Sequence, residues 1–190
     1  MLHRPFRETW LACPQRAGIP PRLRPWLTDP ASLTARIRAR CSAFRVRVLR
    51  QCAGSLHPDE RRLLGLRAGE TALLREVLLI ADGRPVVFAR SVVARRDLRG
   101  GWLRLWRGIG SRPLGAALFS DRRISRLPLA CARIGVTDRR YHLARRSLAG
   151  DAVLPPALWA RRSVFRLHGR SLMVSEFFLP AILELPDDPL

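Results

Sequence analysis

A chain of 190 residues that is 47% hydrophobic has enough apolar side chain to build the core of one domain, which excludes a disordered tail. Its formal net charge of +20 points at face value to nucleic acid or an anionic membrane. All 35 basic residues are arginine, with no lysine or asparagine, and they run through the whole chain, which reads as GC-rich coding bias rather than a basic binding arm.

Residues 1–25 are rich in Pro and Arg and read as an irregular lead-in. Thr28 or Asp29 is a candidate cap with Pro30 behind it, and Leu33, Ile37 and Cys41 recur at helical spacing, so Ser32–Cys41 reads as an amphipathic helix. Phe44–Leu49 (FRVRVL) alternates apolar residues with Arg, as a strand with one wet face does. His57-Pro58-Asp59-Glu60 reads as a helix entry.

Leu73–Val93 reads LLREVLLIADGRPVVFARSVV, two apolar runs around the turn signal Asp82-Gly83. A two-residue loop places Arg75 opposite Arg90, and like charges so placed repel unless an anion lies between them. A register one residue over places Arg90 opposite Glu76, in an ordinary cross-strand ion pair. Both readings stand on spacing alone.

Arg95–Trp102 reads as a charged link and Leu103–Gly110 as a helical turn. Ser111–Gly115 forms a turn, either a plain one or one offering backbone N–H groups to a carboxylate. Arg123–Arg133 is compatible with a strand, and Val153–Trp159, with Pro155-Pro156, reads as a loop. Ala160–Leu167 and Ser171–Leu179 flank His168-Gly169-Arg170 as a second hairpin, which Pro180 ends. Strands joined by short turns, with few helices, predict an α+β fold built on a largely antiparallel β-sheet with peripheral helices.

Glu176 interrupts the apolar run LMVSEFFL, and its same-face neighbours Val174 and Phe178 are apolar. A carboxylate there is paired, protonated or solvated. Arg75, Arg90 and Glu176 together outline a pocket for a small ligand bearing carboxylate and hydroxyl groups. The histidines His3, His57, His142 and His168 have no triad-like spacing. Gly108-Ile109-Gly110 lacks a dinucleotide-binding context, and neither a Walker A sequence nor HExxH occurs. Cys13, Cys41, Cys52 and Cys131 form no CxxC pair or zinc spacing, so free thiols in a reducing cytoplasm are expected. With no signal peptide and no spanning apolar stretch, a soluble cytoplasmic protein without membrane insertion is expected.

The order WL…SLT, LREVLLIADGRPVVFARSVV, GSRPLGAALF and LMVSEFFLPA resembles the chorismate–pyruvate lyase (chorismate lyase) family from about Trp26 to Pro180. The resemblance divides the chain into the lead-in 1–25, a lyase-like domain 26–182 and an acidic tail 183–190. It implies elimination of pyruvate from chorismate to give 4-hydroxybenzoate for ubiquinone biosynthesis, with no metal or organic cofactor. Arg75 would bind the aromatic carboxylate, and Glu176 would address the ring hydroxyl. Backbone at Leu114 would complete carboxylate binding, and Leu33 would line the site. Arg90 would meet the departing enolpyruvyl carboxylate. The implied site is buried under helical flaps around Leu33 and Gly108–Leu118, and the implied enzyme is a monomer. The rival is a non-catalytic small-carboxylate sensing domain of the same fold. Such domains normally follow a winged-helix domain, for which residues 1–25 are too short. A second rival, a nucleic-acid-binding module, rests only on net charge, and no specific nucleic-acid partner is expected.

Overall fold

A computed structural model describes residues 10–12, 18–148 and 153–187. The rest of the lead-in, with His3 and Cys13, and the last three residues of the acidic tail lie outside the described residues.

The strands β1 (Leu11–Ala12), β2 (Phe44–Gly54), β3 (Ala72–Ala81), β4 (Arg84–Ala94), β5 (Ser125–Arg126), β6 (Ala130–Gly135), β7 (Ala157–Leu167) and β8 (Arg170–Phe178) form one sheet. Its order is β1-β6-β7-β8-β4-β3-β2, with β5 beside β7, and every pairing is antiparallel. Helices α1 (Arg24–Thr28), α2 (Leu33–Arg38), α3 (Pro58–Leu63), α4 (Gly100–Gly108), α5 (Leu114–Ser120) and α6 (Arg139–Ser147) surround it. The α+β antiparallel architecture read from the sequence is the one observed.

Both faces of the sheet are covered. On one, Val77, Leu79 and Val87 pack with Leu27, Leu33 and Ile37 of α1 and α2, while Val93, Leu172 and Val174 pack with Trp102, Trp106 and Leu118 of α4 and α5. On the other, Leu78, Phe88 and Phe177 pack with Trp10 and with Tyr141 and Ala144 of α6. Strands buried on both faces read as continuous apolar runs, which is why β3 shows no alternation.

The first hairpin sets the site. Asp82 and Gly83 have φ of 46° and 80°, the paired left-handed conformations of a tight two-residue turn. Asp82 also fastens the turn to β2, since its Oδ1 accepts from the Ala43 N–H at 2.8 Å. Ala81 pairs with Arg84 and Ile80 with Pro85, but Leu79 then pairs with Val87. Val86 is therefore an extra residue on β4, a bulge beside a proline that has no N–H for the ladder. The bulge shifts every later pair by one, so Arg75 lies opposite Ser91 and Glu76 opposite Arg90. The Arg75–Arg90 register is thus corrected: the two-residue loop forms, and the bulge moves the arginines onto opposite faces.

Other expectations shift in extent. Ser32 caps α2, its Oγ accepting from the Ala35 N–H at 3.3 Å, and the helix ends at Arg38. Strand β2 runs on to Gly54, past the expected Leu49, and β7 begins at Ala157, inside the expected loop. Helix α6 has no counterpart in the sequence reading, because its inner face carries only Tyr141 and Ala144 among arginines. Within the expected lead-in, Trp10 is buried and Leu11–Ala12 pair with β6. Cys41 and Cys52 are free thiols, whereas Cys131 is disulfide-bonded, against the expectation of free thiols throughout.

Candidate active site

A cavity lies between the sheet and the covering helices α2 and α5. Arg75 of β3, Ser91 of β4, Glu176 of β8 and Arg161 of β7 reach it from the sheet, and Leu33 and Leu114 close it from the helices. Its volume open to the centres of water molecules is about 40 Å³. At roughly 10–15 Å³ for each water, that holds a few waters and no ring-bearing molecule. Leu33 and Thr34 of α2 and Leu114, Gly115, Leu118 and Phe119 of α5 form its helical cover.

Arg75 is 2% exposed. Its Nη2 donates to the carbonyls of Gly110 and Arg112 at 3.0 and 3.2 Å, its Nε has no partner, and among the described residues no carboxylate lies within ion-pair distance. Burial pushes its pKa down, a sign that the charge has left water without a counter-charge. A buried cation in that state is costly, and an anionic ligand relieves the cost.

Glu176 lies directly opposite Arg161 across β7 and β8, and Arg161 Nε contacts its Oε2 at 2.6 Å. Arg161 Nη1 also donates to the carbonyls of Trp26 and Asp29 at 3.0 and 2.9 Å. One arginine thus fixes the carboxylate and ties the end of α1, just before α2, to the sheet. The remaining oxygen of Glu176 is available to a ligand hydroxyl.

Arg126 also lines the cavity. Its guanidinium lies 5.4 Å from the ring centroids of both Phe119 and Phe165. It donates to Ser163 Oγ through Nε at 3.0 Å and Nη2 at 2.6 Å, and to the Pro30 carbonyl. Burial, then the neighbouring Arg161, lower its pKa to about 10, so it stays charged at neutral pH. Like Arg75, it has no carboxylate within ion-pair distance among the described residues.

Leu114 and Gly115 begin α5, whose first turn has no side-chain cap. A Cβ at Gly115 would stand 3.2 Å from Thr34 Oγ1 and 3.3 Å from Ser32 Oγ, which shows how closely α5 approaches α2 over the cavity.

Arg75, Glu176, Leu33 and Leu114 therefore come together, as the sequence reading expects. Arg90 does not join them. It points through the opposite face, 1% exposed, with Nε and Nη2 on the Glu60 carboxylate at 2.9 and 3.1 Å and Nη1 on Glu76. Burial alone would lower its pKa, but the two carboxylates raise it. Arg161 and Arg126 are the cavity residues that sequence reasoning missed. Alternation along ARRSVFRL puts Arg161 on one face with Ser163 and Phe165, a usable signal. Arg126 sits in a two-residue strand and leaves none.

The chorismate lyase family model matches residues 4–185. The chain belongs to the chorismate lyase family. The family match takes in most of the lead-in as well as the sheet. A probable chorismate pyruvate-lyase from Azoarcus sp. strain BH72 is 81% identical over 190 residues, the full length of both chains. One from Aromatoleum aromaticum is 64% identical over 183 residues, 96% of this chain and 98% of that one. Among solved structures, the C-terminal domain of the histidine utilization repressor from Pseudomonas syringae pv. tomato aligns with a TM-score of 0.53 at 9% identity, over 73% of this chain and 93% of that one. At that identity the likeness between this chain and the repressor domain is one of fold.

Proposed function

We propose that the cavity eliminates pyruvate from chorismate and leaves 4-hydroxybenzoate. The observation that carries this reading is the pair of arginines, Arg75 and Arg126, that line one cavity without acid partners, with Glu176 in the same wall. Chorismate has a ring carboxylate, an enolpyruvyl carboxylate and a ring hydroxyl, one group for each side chain. Arg75 takes the ring carboxylate, aided by the first-turn N–H groups at Leu114 and Gly115. Glu176, held by Arg161, accepts a hydrogen bond from the ring hydroxyl. Arg126 takes the enolpyruvyl carboxylate, the role the sequence reading gave to Arg90.

In the reaction the carbon–oxygen bond to the enolpyruvyl group breaks as the ring carbon bearing the hydroxyl loses its proton. The ring becomes aromatic, and the departing enolpyruvate takes up a proton at its methylene carbon to become pyruvate. Charge grows on the leaving group, beside Arg126, so a fixed cation there favours the transition state over the bound substrate. Leu33, Leu118 and Phe119 exclude water, which strengthens these contacts. Since α2 and α5 cover the cavity, their opening is expected to limit product release and so turnover.

We further read the protein as a cytoplasmic monomer that supplies 4-hydroxybenzoate to ubiquinone synthesis. Cys41 and Cys52 are free, whereas the bonded Cys131 does not favour a reducing compartment, so the compartment rests on the family resemblance alone. No helix among the described residues is long and apolar enough to cross a membrane.

Incubation of the purified protein with chorismate, followed by quantification of pyruvate and 4-hydroxybenzoate, tests the reading. Equimolar release of both products is expected. Unchanged chorismate over a time in which it is stable would overturn it, and tight 4-hydroxybenzoate binding without turnover would identify a sensing domain instead.

A further inference from the structure

A second cavity opens on the other side of the sheet, with a volume of about 230 Å³. Arg50 of β2, His57 at the start of α3, and Arg139, His142 and Arg146 of α6 line it, with Arg90 at its floor. The three α6 residues recur at i, i+3 and i+7 and so share one helix face. None of its lining residues is acidic.

The nearby carboxylates are already taken. Glu60 and Glu76 both hold Arg90, Asp138 holds Arg140 at 2.6 Å, and Asp59 holds Arg140 and Arg162 at 2.7 and 3.0 Å. Arg50 reaches Glu76 only at 3.4 Å and is 44% exposed. Among the described residues Arg139 and Arg146 meet no carboxylate within ion-pair distance. The buried network thus consumes the local acids and leaves a concave, cationic lining above it. Concavity matters here, because it focuses potential that a flat arginine surface would dissipate into solvent.

We propose that this pocket is a second binding site, for a small multivalent oxyanion such as a phosphate ester or a polycarboxylate. Guanidinium forks from both ends of α6 would hold it, with Arg50 adding charge from β2 while it faces Glu76, and the half-buried His57 would supply a further donor, since His142 Nε2 already meets the Val136 carbonyl at 2.6 Å. The pKa of His57, lowered by burial and by Arg140 and Arg90, would rise again beside a bound anion. The site lies across the sheet from the lyase cavity and does not depend on the reaction assigned there.

Calorimetric titration with inorganic phosphate and, separately, with citrate, at constant ionic strength, tests the proposal. Saturable binding of one of them to the wild-type chain is expected, weakened about tenfold or more in R139Q/R146Q. The control R133Q/R145Q removes the same charge from exposed positions outside the pocket and should bind as the wild type does. Tighter phosphate would indicate a phosphate ester, and tighter citrate a polycarboxylate. Absence of saturable binding of either, or equal weakening in both double variants, would overturn the site. Chorismate turnover in R139Q/R146Q should match the wild type, which verifies that the variant is folded.

Discussion

Arg75 and Arg90 sit on adjacent strands, at almost equal depth, and differ in what answers their charge. Arg90 is enclosed by Glu60 and Glu76 on the face covered by α3 and α6. Arg75 faces a cavity under α2 and α5 with two backbone carbonyls and no acid. The first arrangement pairs the cation with acids of the chain itself, whereas the second gives it only backbone carbonyls, which is where the proposed reaction puts the substrate carboxylate. A buried arginine is therefore no signal of a binding site until its counter-charges have been located.

Substitution separates the two most sharply through stability. Arg90→Met strands Glu60 and leaves Glu76 with only the half-exposed Arg50 at 3.4 Å, and is expected to cost about 3–5 kcal/mol in urea denaturation. Turnover per folded molecule should stay within a few-fold of wild type, and a collapse of kcat in a variant that remains folded would return Arg90 to the catalytic site. Arg75→Met should show the reverse pattern. It relieves an unanswered buried charge, so unfolding free energy should hold or rise, while kcat/KM for chorismate falls roughly 10²–10³-fold. Arg126→Met should lower turnover by roughly 10–10²-fold, mostly in kcat, because its contact strengthens as the leaving group gains charge.

The α3/α6 face should also carry pH dependence. Burial lowers the pKa of His57 from its ordinary 6.5, so below that pH the unfolded chain binds a proton that the folded one resists. Stability present above pH 6.5 is thus lost as pH falls through it, and His57→Gln should flatten the difference in unfolding free energy between pH 7.5 and about 5.5. The smallest effect is expected at the lid. Gly115→Ala presses a methyl group against Thr34 and Ser32, and a few-fold change in kcat from altered lid closure should appear in steady-state kinetics.

The sequence carries part of this arrangement but not the contrast between the two arginines. Glu176 stands out because its same-face neighbours are apolar, and the turn at Asp82-Gly83 is written in residues that tolerate positive φ. Helix α6 was not legible, since its short apolar stripe is lost among arginines, and Arg126 acquires meaning only from the aromatic rings it lies against.

The sequence by itself determined the antiparallel strands of the two hairpins and singled out Arg75 and Glu176 as charges within apolar runs, because apolar periodicity and turn chemistry are local properties. The tertiary structure alone decided the face of Arg90, because a single bulge at Val86 inverts every later side chain on β4 relative to β3. It alone also brought Arg161 to Glu176 and Glu60 to Arg90. Charge pairing across a sheet depends on register and on which helix covers which face, and neither is written within one segment.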